Sequence, residues 1–105
     1  MSHSKKPSFE NVDYYLDIAL NIAYYRRLAG YTQVMLAEKA QITQPYLGSL
    51  ESVNNPKHCS LEVLFNLARA LNIQPYQLLK PLTEEKEATA EQGETSRDSK
   101  ENRSE

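Results

Sequence analysis

The run "TEEKEATAEQGETSRDSKENRSE", residues 83–105, contains no Leu, Ile, Val, Phe, Tyr or Met. Such a segment cannot bury enough apolar surface to offset the entropy of ordering its backbone, so it is expected to be disordered. The first eleven residues, with Pro7 and small polar side chains, read as a loose arm. A folded domain is therefore expected from residue 12 to residue 82. About seventy residues is near the lower size at which a single core holds itself together.

Charge divides at the same boundary. Residues 1–82 carry eight Lys/Arg and six Asp/Glu, whereas residues 83–105 carry four and eight. The formal net charge of −2 thus averages a mildly basic body and an acidic tail. Mild basicity permits a polyanionic partner without demonstrating one. The single cysteine, Cys59, excludes an intrachain disulfide framework and fits a reducing cytoplasm. The most apolar run, "YYLDIALNIAYY", is broken by Asp17 and Asn21, so no membrane span is expected. The start "MSHSKKPSFE" lacks the apolar block of a secretory signal. No cluster of acid, base and nucleophile appears, which argues against an enzyme.

The body reads as all helix, with no hairpin signal. From Asp13 to Ala29, Leu16, Ala19, Ile22, Ala23 and Tyr25 recur at helical spacing, and Gly30 supplies a stop. Thr32 is an N-cap for "QVMLAEKA", where Val34, Leu36, Ala37 and Ala40 are available to bury. Ser60 caps "LEVLFNLARAL", with Leu61, Leu64, Phe65, Ala68 and Leu71 as a broad inner face and Asn72 as its end. Pro75 suits the first position of a short fifth helix, "PYQLL", and Pro81 closes the fold.

Between the second and fourth helices lies "QITQPYLGSLES", residues 41–52, which carries a proline, a glycine and a single charge. Thr43 can cap a helix here, because proline in the first turn removes an N–H that has no intrahelical acceptor. Leu47 and Leu50 then point inward with Ile42, and Gln44, Pro45, Gly48, Ser49 and Ser52 form a small, polar outer face. Gly48 costs about 1 kcal/mol of helix propensity relative to alanine. A helix that accepts this cost on an exposed face is expected to meet another surface closely.

Two short helices joined by "QIT" form a helix-turn-helix arrangement. The stretch "YYRRLAGYTQVMLAEKAQITQPYLGSLE", followed by "SLEVLFNLARALNIQPYQLL", resembles the phage-repressor/Cro-type (XRE) DNA-binding family over about Ile18 to Leu79. The resemblance implies an all-α, five-helix, lambda-repressor-like domain that regulates transcription, as a repressor, by placing helix 43–51 in the major groove of double-stranded DNA. It further implies that Gln44, Pro45 and Ser49 face base edges, Gln44 as an amide able to pair with adenine. Gln33 and Thr32 at the start of the second helix, with Ser52, Asn54, Asn55 and Lys57 after the third, are implied phosphate contacts. Arg26 and Glu51 match an internal ion pair, and Tyr76, Leu78 and Leu79 match a dimer patch. A homodimer on a palindromic operator follows from the same resemblance. Two departures stand out: Gln41 occupies a turn position usually held by glycine, and the loop "SVNNPKHCS" is longer and glycine-free.

Plainer readings compete. Outside a helix-turn-helix, Gln33 and Gln44 are ordinary surface amides. Lys5 and Lys6 form either a DNA-wrapping arm or a solvated tail. His58–Cys59 are two adjacent potential ligands without a second cluster, so neither metal nor cofactor is expected. The alternative function is an antitoxin or other protein-binding module of the same fold, with the tail contacting a protein partner; the tail's lack of apolar anchors counts against it.

Overall fold

The computed structural model describes residues 7–81. The expectations for the acidic segment 83–105 and for Lys5 and Lys6 lie outside these residues. Among the described residues there are four α-helices: α1 (Val12–Leu28), α2 (Gln33–Ala40), α3 (Gln44–Leu50) and α4 (Leu61–Leu71). A 3-10 turn at Phe9–Asn11 leads into α1, and another at Pro75–Leu78 follows α4. No strand occurs among the described residues, and none of their helices is long and apolar enough to cross a membrane.

The helix starts follow the expected caps. Thr32 Oγ1 accepts from Met35 N at 3.1 Å, Thr43 Oγ1 from Tyr46 N at 3.2 Å, and Ser60 Oγ from Val63 N at 3.2 Å. Each such cap contributes about 1 kcal/mol. The helix ends share one device. Gly30, Gln41 and Asn72 adopt positive φ of 79°, 63° and 59° after α1, α2 and α4. The next residue then bonds back into the last turn: Tyr31 N to Arg26 O, Ile42 N to Ala37 O, and Ile73 N to Ala68 O, each at 3.0 Å. These are Schellman ends, and Tyr31, Ile42 and Ile73 all pack against the core as such ends favour.

Ile18, Ile22, Leu36, Leu47, Leu50, Leu64, Leu67 and Leu78 form the centre of that core. Several expected core positions lie elsewhere. Leu16 is half-buried, and Val34 faces outward from α2. Leu61 and Phe65 are 65% and 43% exposed, while Leu67 is fully buried. The stripe on α4 is Leu64, Leu67, Ala68 and Leu71, a spacing of three, four and seven. Phe65 sits roughly 110° around the helix from its middle, and Leu61 lies in the first turn.

The expected fifth helix is a 3-10 turn. Gln77 N bonds Gln74 O and Leu79 N bonds Tyr76 O, both at 3.0 Å. The space between Pro75 and Pro81 is too short for an α-helical ladder, and Pro81 disfavours helical backbone at Lys80. Leu78, expected on a surface patch, is fully buried against the core. Asn21, also fully buried, locks it there: its Nδ2 donates to Leu78 O at 3.0 Å and Lys80 O at 2.7 Å.

Candidate nucleic-acid interface

The turn at Gln41–Thr43 sets α3 against α2. Gln41 takes the left-handed conformation at ψ 40°, and Ile42 tucks partly inward between the helices. Leu47 and Leu50 anchor the inner side of α3. Gln44 and Pro45, in its first turn, are exposed, as the sequence pattern requires.

Behind this surface lies a continuous chain of polar contacts. Arg26 Nε donates to Glu51 Oε2 at 2.7 Å, and its Nη2 donates to Glu51 Oε1 at 3.0 Å. Arg26 Nη1 also donates to Tyr31 O at 2.9 Å. Both side chains are nearly buried, at 10% and 5% exposure. This fork-to-fork pairing ties the end of α1 to the end of α3. Glu51 Oε1 accepts a further bond from Gln33 Nε2 at 3.0 Å. Gln33 Oε1 in turn accepts from Gln44 Nε2 at 2.7 Å. The buried charge thereby orients Gln33, and Gln33 orients the exposed Gln44.

Gly48 lies beneath this amide pair. A Cβ there would meet Gln33 Oε1 at 3.5 Å and Gln44 Nε2 at 3.6 Å, ordinary contact distances. Ser49 Oγ donates to Tyr46 O at 2.6 Å, so its proton serves its own helix backbone and its oxygen can act only as an acceptor while that bond holds. Thr32, Asn54 and Asn55 are exposed, and Ser52 and Lys57 are partly so. Together they flank α3 along the loop after Glu51 and the start of α2.

Tyr46 escaped the sequence reading. It lies on α3 between Pro45 and the buried Leu47 and is 36% exposed. Partial burial, and then the neighbouring Cys59, raise its hydroxyl above the ordinary tyrosine range. Its place one step from Leu47 puts it at the margin of the outer face, a signal present in the spacing. The contact of Gln33 with Glu51 had no such signal, because it joins residues eighteen apart through side-chain reach alone.

His58 and Cys59 diverge. The His58 ring packs against Tyr15 with centroids 5.6 Å apart. Cys59 is buried, and burial pushes its thiol up to about 11. A thiol with that value is protonated at neutral pH, a poor ligand and a poor nucleophile. Among the described residues no group of three or more His, Cys, Asp or Glu gathers in metal-binding range.

Fold and site together define a helix-turn-helix protein with a braced polar surface on its second motif helix. The sequence matches the helix-turn-helix family HTH_3 over residues 22–78, and the chain belongs to that XRE-type family. Its structure is similar to that of SinR, a master regulator for biofilm formation solved in complex with DNA. That pair shares 32% identity at a TM-score of 0.56, over 60% of this chain and 98% of SinR. The restriction-modification controller protein C.AhdI from Aeromonas hydrophila shares 26% identity at a TM-score of 0.56, over 61% of this chain and 94% of that one. The clp gene regulator ClgR from C. glutamicum shares 26% identity at a TM-score of 0.57, over 62% and 82% of the two chains. No curated protein matches the chain.

Proposed function

We propose that the protein is a transcription regulator that binds double-stranded DNA with α3 in the major groove and acts as a repressor by occupying its operator. The observation that carries this reading is the relay from Arg26 through Glu51 and Gln33 to Gln44. A solvated surface amide gains nothing from such bracing, whereas an amide that must meet a base edge in one orientation does. Family membership and the DNA complex of SinR support the same reading. In this proposal Gln44, Pro45 and Ser49 face bases. Thr32, Gln33, Ser52, Asn54, Asn55 and Lys57 face phosphates.

The proposed working unit is a homodimer on a palindromic site. One helix with few reading groups binds weakly, and two half-sites about one DNA turn apart add their energies. Tyr76 and Leu79, 57% and 51% exposed, support an apolar contact. Leu61 and Tyr14 line the same surface groove as Leu79 and extend that patch.

Selection of bound duplexes from a random pool, followed by salt titration, tests the proposal. A DNA reader loses affinity steeply as salt rises, and Gln44→Ala weakens the selected duplex more than random DNA. Equal weakening of both, or no enrichment of any sequence, would overturn it.

A further inference from the structure

We propose that the protein pairs with a second copy of itself by a reciprocal interlock, in which Phe9 of each copy enters the groove between the first half of α1 and the start of α4 of the other. The proposal rests on the homodimer reading above and assigns that dimer its anchor.

Phe9 is the knob. At 91% exposure it is the most exposed large apolar side chain among the described residues. The turn that carries it is ordered: Asn11 N bonds Ser8 O at 3.0 Å, and the turn runs directly into α1. A phenyl ring held out in water gains by finding an apolar partner. The groove is the hole. It encloses about 520 Å³, with the buried Ile18 and Leu64 at its base and the rings of Tyr15 and His58, 5.6 Å apart, along it. Leu61 and Leu79 stand exposed at its rim. Among the described residues no Asp, Glu, Lys or Arg lines it, so it suits an uncharged ring.

Three relationships point to a second copy as the occupant. The first is position. Asn11 lines the groove and lies two residues from Phe9, within about 7 Å along the chain. A two-fold contact needs knob and hole side by side on one face, because each copy supplies both and the axis passes between them. The second is continuity. Tyr14, Leu61 and Leu79 belong both to this groove and to the proposed dimer patch. The third is area. Scaled by exposure, Phe9, Tyr14, Leu61 and Leu79 offer roughly 500 Å² of apolar surface per copy, the apolar share of a standard interface of about 800 Å² per partner. Phe9 supplies about a third of it, and a small ligand in the groove would leave that ring in water. Asp13 and Asp17 lie roughly 90° or more around α1 from the stripe of Tyr14 and Ile18, so this pairing does not set them face to face.

The test uses the full chain. Sedimentation equilibrium follows dimerisation of the unaltered protein, of Phe9→Ala and of Leu79→Ser. Phe9→Ala is expected to weaken the dimer roughly thirty- to a thousandfold, since each dimer loses two buried rings. Its melting temperature, measured where both proteins are monomeric, is expected to be unchanged, because so exposed a ring supports little of its own fold. In a mixture of isotope-labelled and unlabelled chains, filtered NOEs are expected from the Phe9 ring to the Leu61 and Leu79 methyl groups of the other copy. Contacts of Phe9 with those methyl groups only within one copy, or a dimer as tight in Phe9→Ala as in the unaltered protein, would overturn the proposal. If Leu79→Ser still weakens that dimer, the homodimer reading survives without the interlock. A chain that stays monomeric at millimolar concentration would remove both.

Discussion

Gln44 donates its side-chain amide to Gln33 Oε1 across 2.7 Å, so the exposed tip of α3 takes its orientation from α2. Gln33→Ala removes that support without touching the core. The variant loses both the bond to Gln44 and the bond that Glu51 accepts from Gln33, and affinity for a selected duplex is expected to fall roughly five- to thirtyfold, or about 1–2 kcal/mol. The melting temperature is expected to fall by roughly 4–8 °C, because the nearly buried Glu51 loses one of its donors, about 1 kcal/mol. Gln33→Glu is expected to weaken binding more, since it sets a carboxylate against Glu51. Anisotropy titrations with parallel thermal melts check both.

The Arg26–Glu51 pair acts on folding first. Arg26→Met leaves Glu51 nearly buried without its counter-charge, which costs about 3–5 kcal/mol. Arg26→Met combined with Glu51→Leu removes both charges and is expected to recover part of that loss. Denaturant unfolding of the three proteins measures the recovery, and a double variant less stable than the single one would refute the account.

Gly48 separates stability from binding. Its added Cβ would meet the two glutamine amides only at 3.5 and 3.6 Å, so Gly48→Ala gains helix propensity without a clash. A gain of about 1 kcal/mol is expected, seen as a rise in melting temperature of roughly 4–8 °C. If α3 enters the groove as proposed, affinity for DNA is expected to fall in the same variant, because the methyl group would crowd the Gln33–Gln44 amide pair. Movement of both quantities in the same direction would contradict this.

Asp17 gives a pH-dependent case. Partial burial, and then Asp13 one turn earlier, raise its carboxyl above the ordinary value of 3.8. A raised value in the fold means that ionisation is harder there than in the unfolded chain. Stability linked to this group is therefore full below the ordinary value and is lost as pH rises through the raised one. Asp17→Asn is expected to raise the melting temperature at pH 7 by roughly 1–4 °C and to leave it unchanged near pH 3. Melts at both values provide the measurement.

Much of this arrangement was readable from local signals. Thr32, Thr43 and Ser60 start helices because each carries a hydroxyl at the one place where a free N–H needs it. Gly30 and Asn72 end helices for reasons equally local, and Gln41 follows them at a cost its side chain does not avoid. What local pattern did not reveal was direction. Phe65 and Leu67 are both apolar and close together on α4, yet only Leu67 is buried in the core. In the candidate interface the exposure of Gln44 and the Arg26–Glu51 pair were legible through the motif. The bond from Gln33 to Glu51 was not, because it depends on how α2 and α3 cross. Asn21 read as an interruption in an apolar run; its partners are backbone atoms fifty-seven and fifty-nine residues away.

That asparagine alters how the domain opens to solvent. A closing turn of four residues would ordinarily fray, its amides exchanging protons long before the helices come apart. Here the turn is fastened to the middle of α1 through Leu78 and two carbonyls, so it has no independent way to lift off. Its slowest amides should therefore exchange only when the whole domain unfolds, and the two ends of the fold should be lost in a single event.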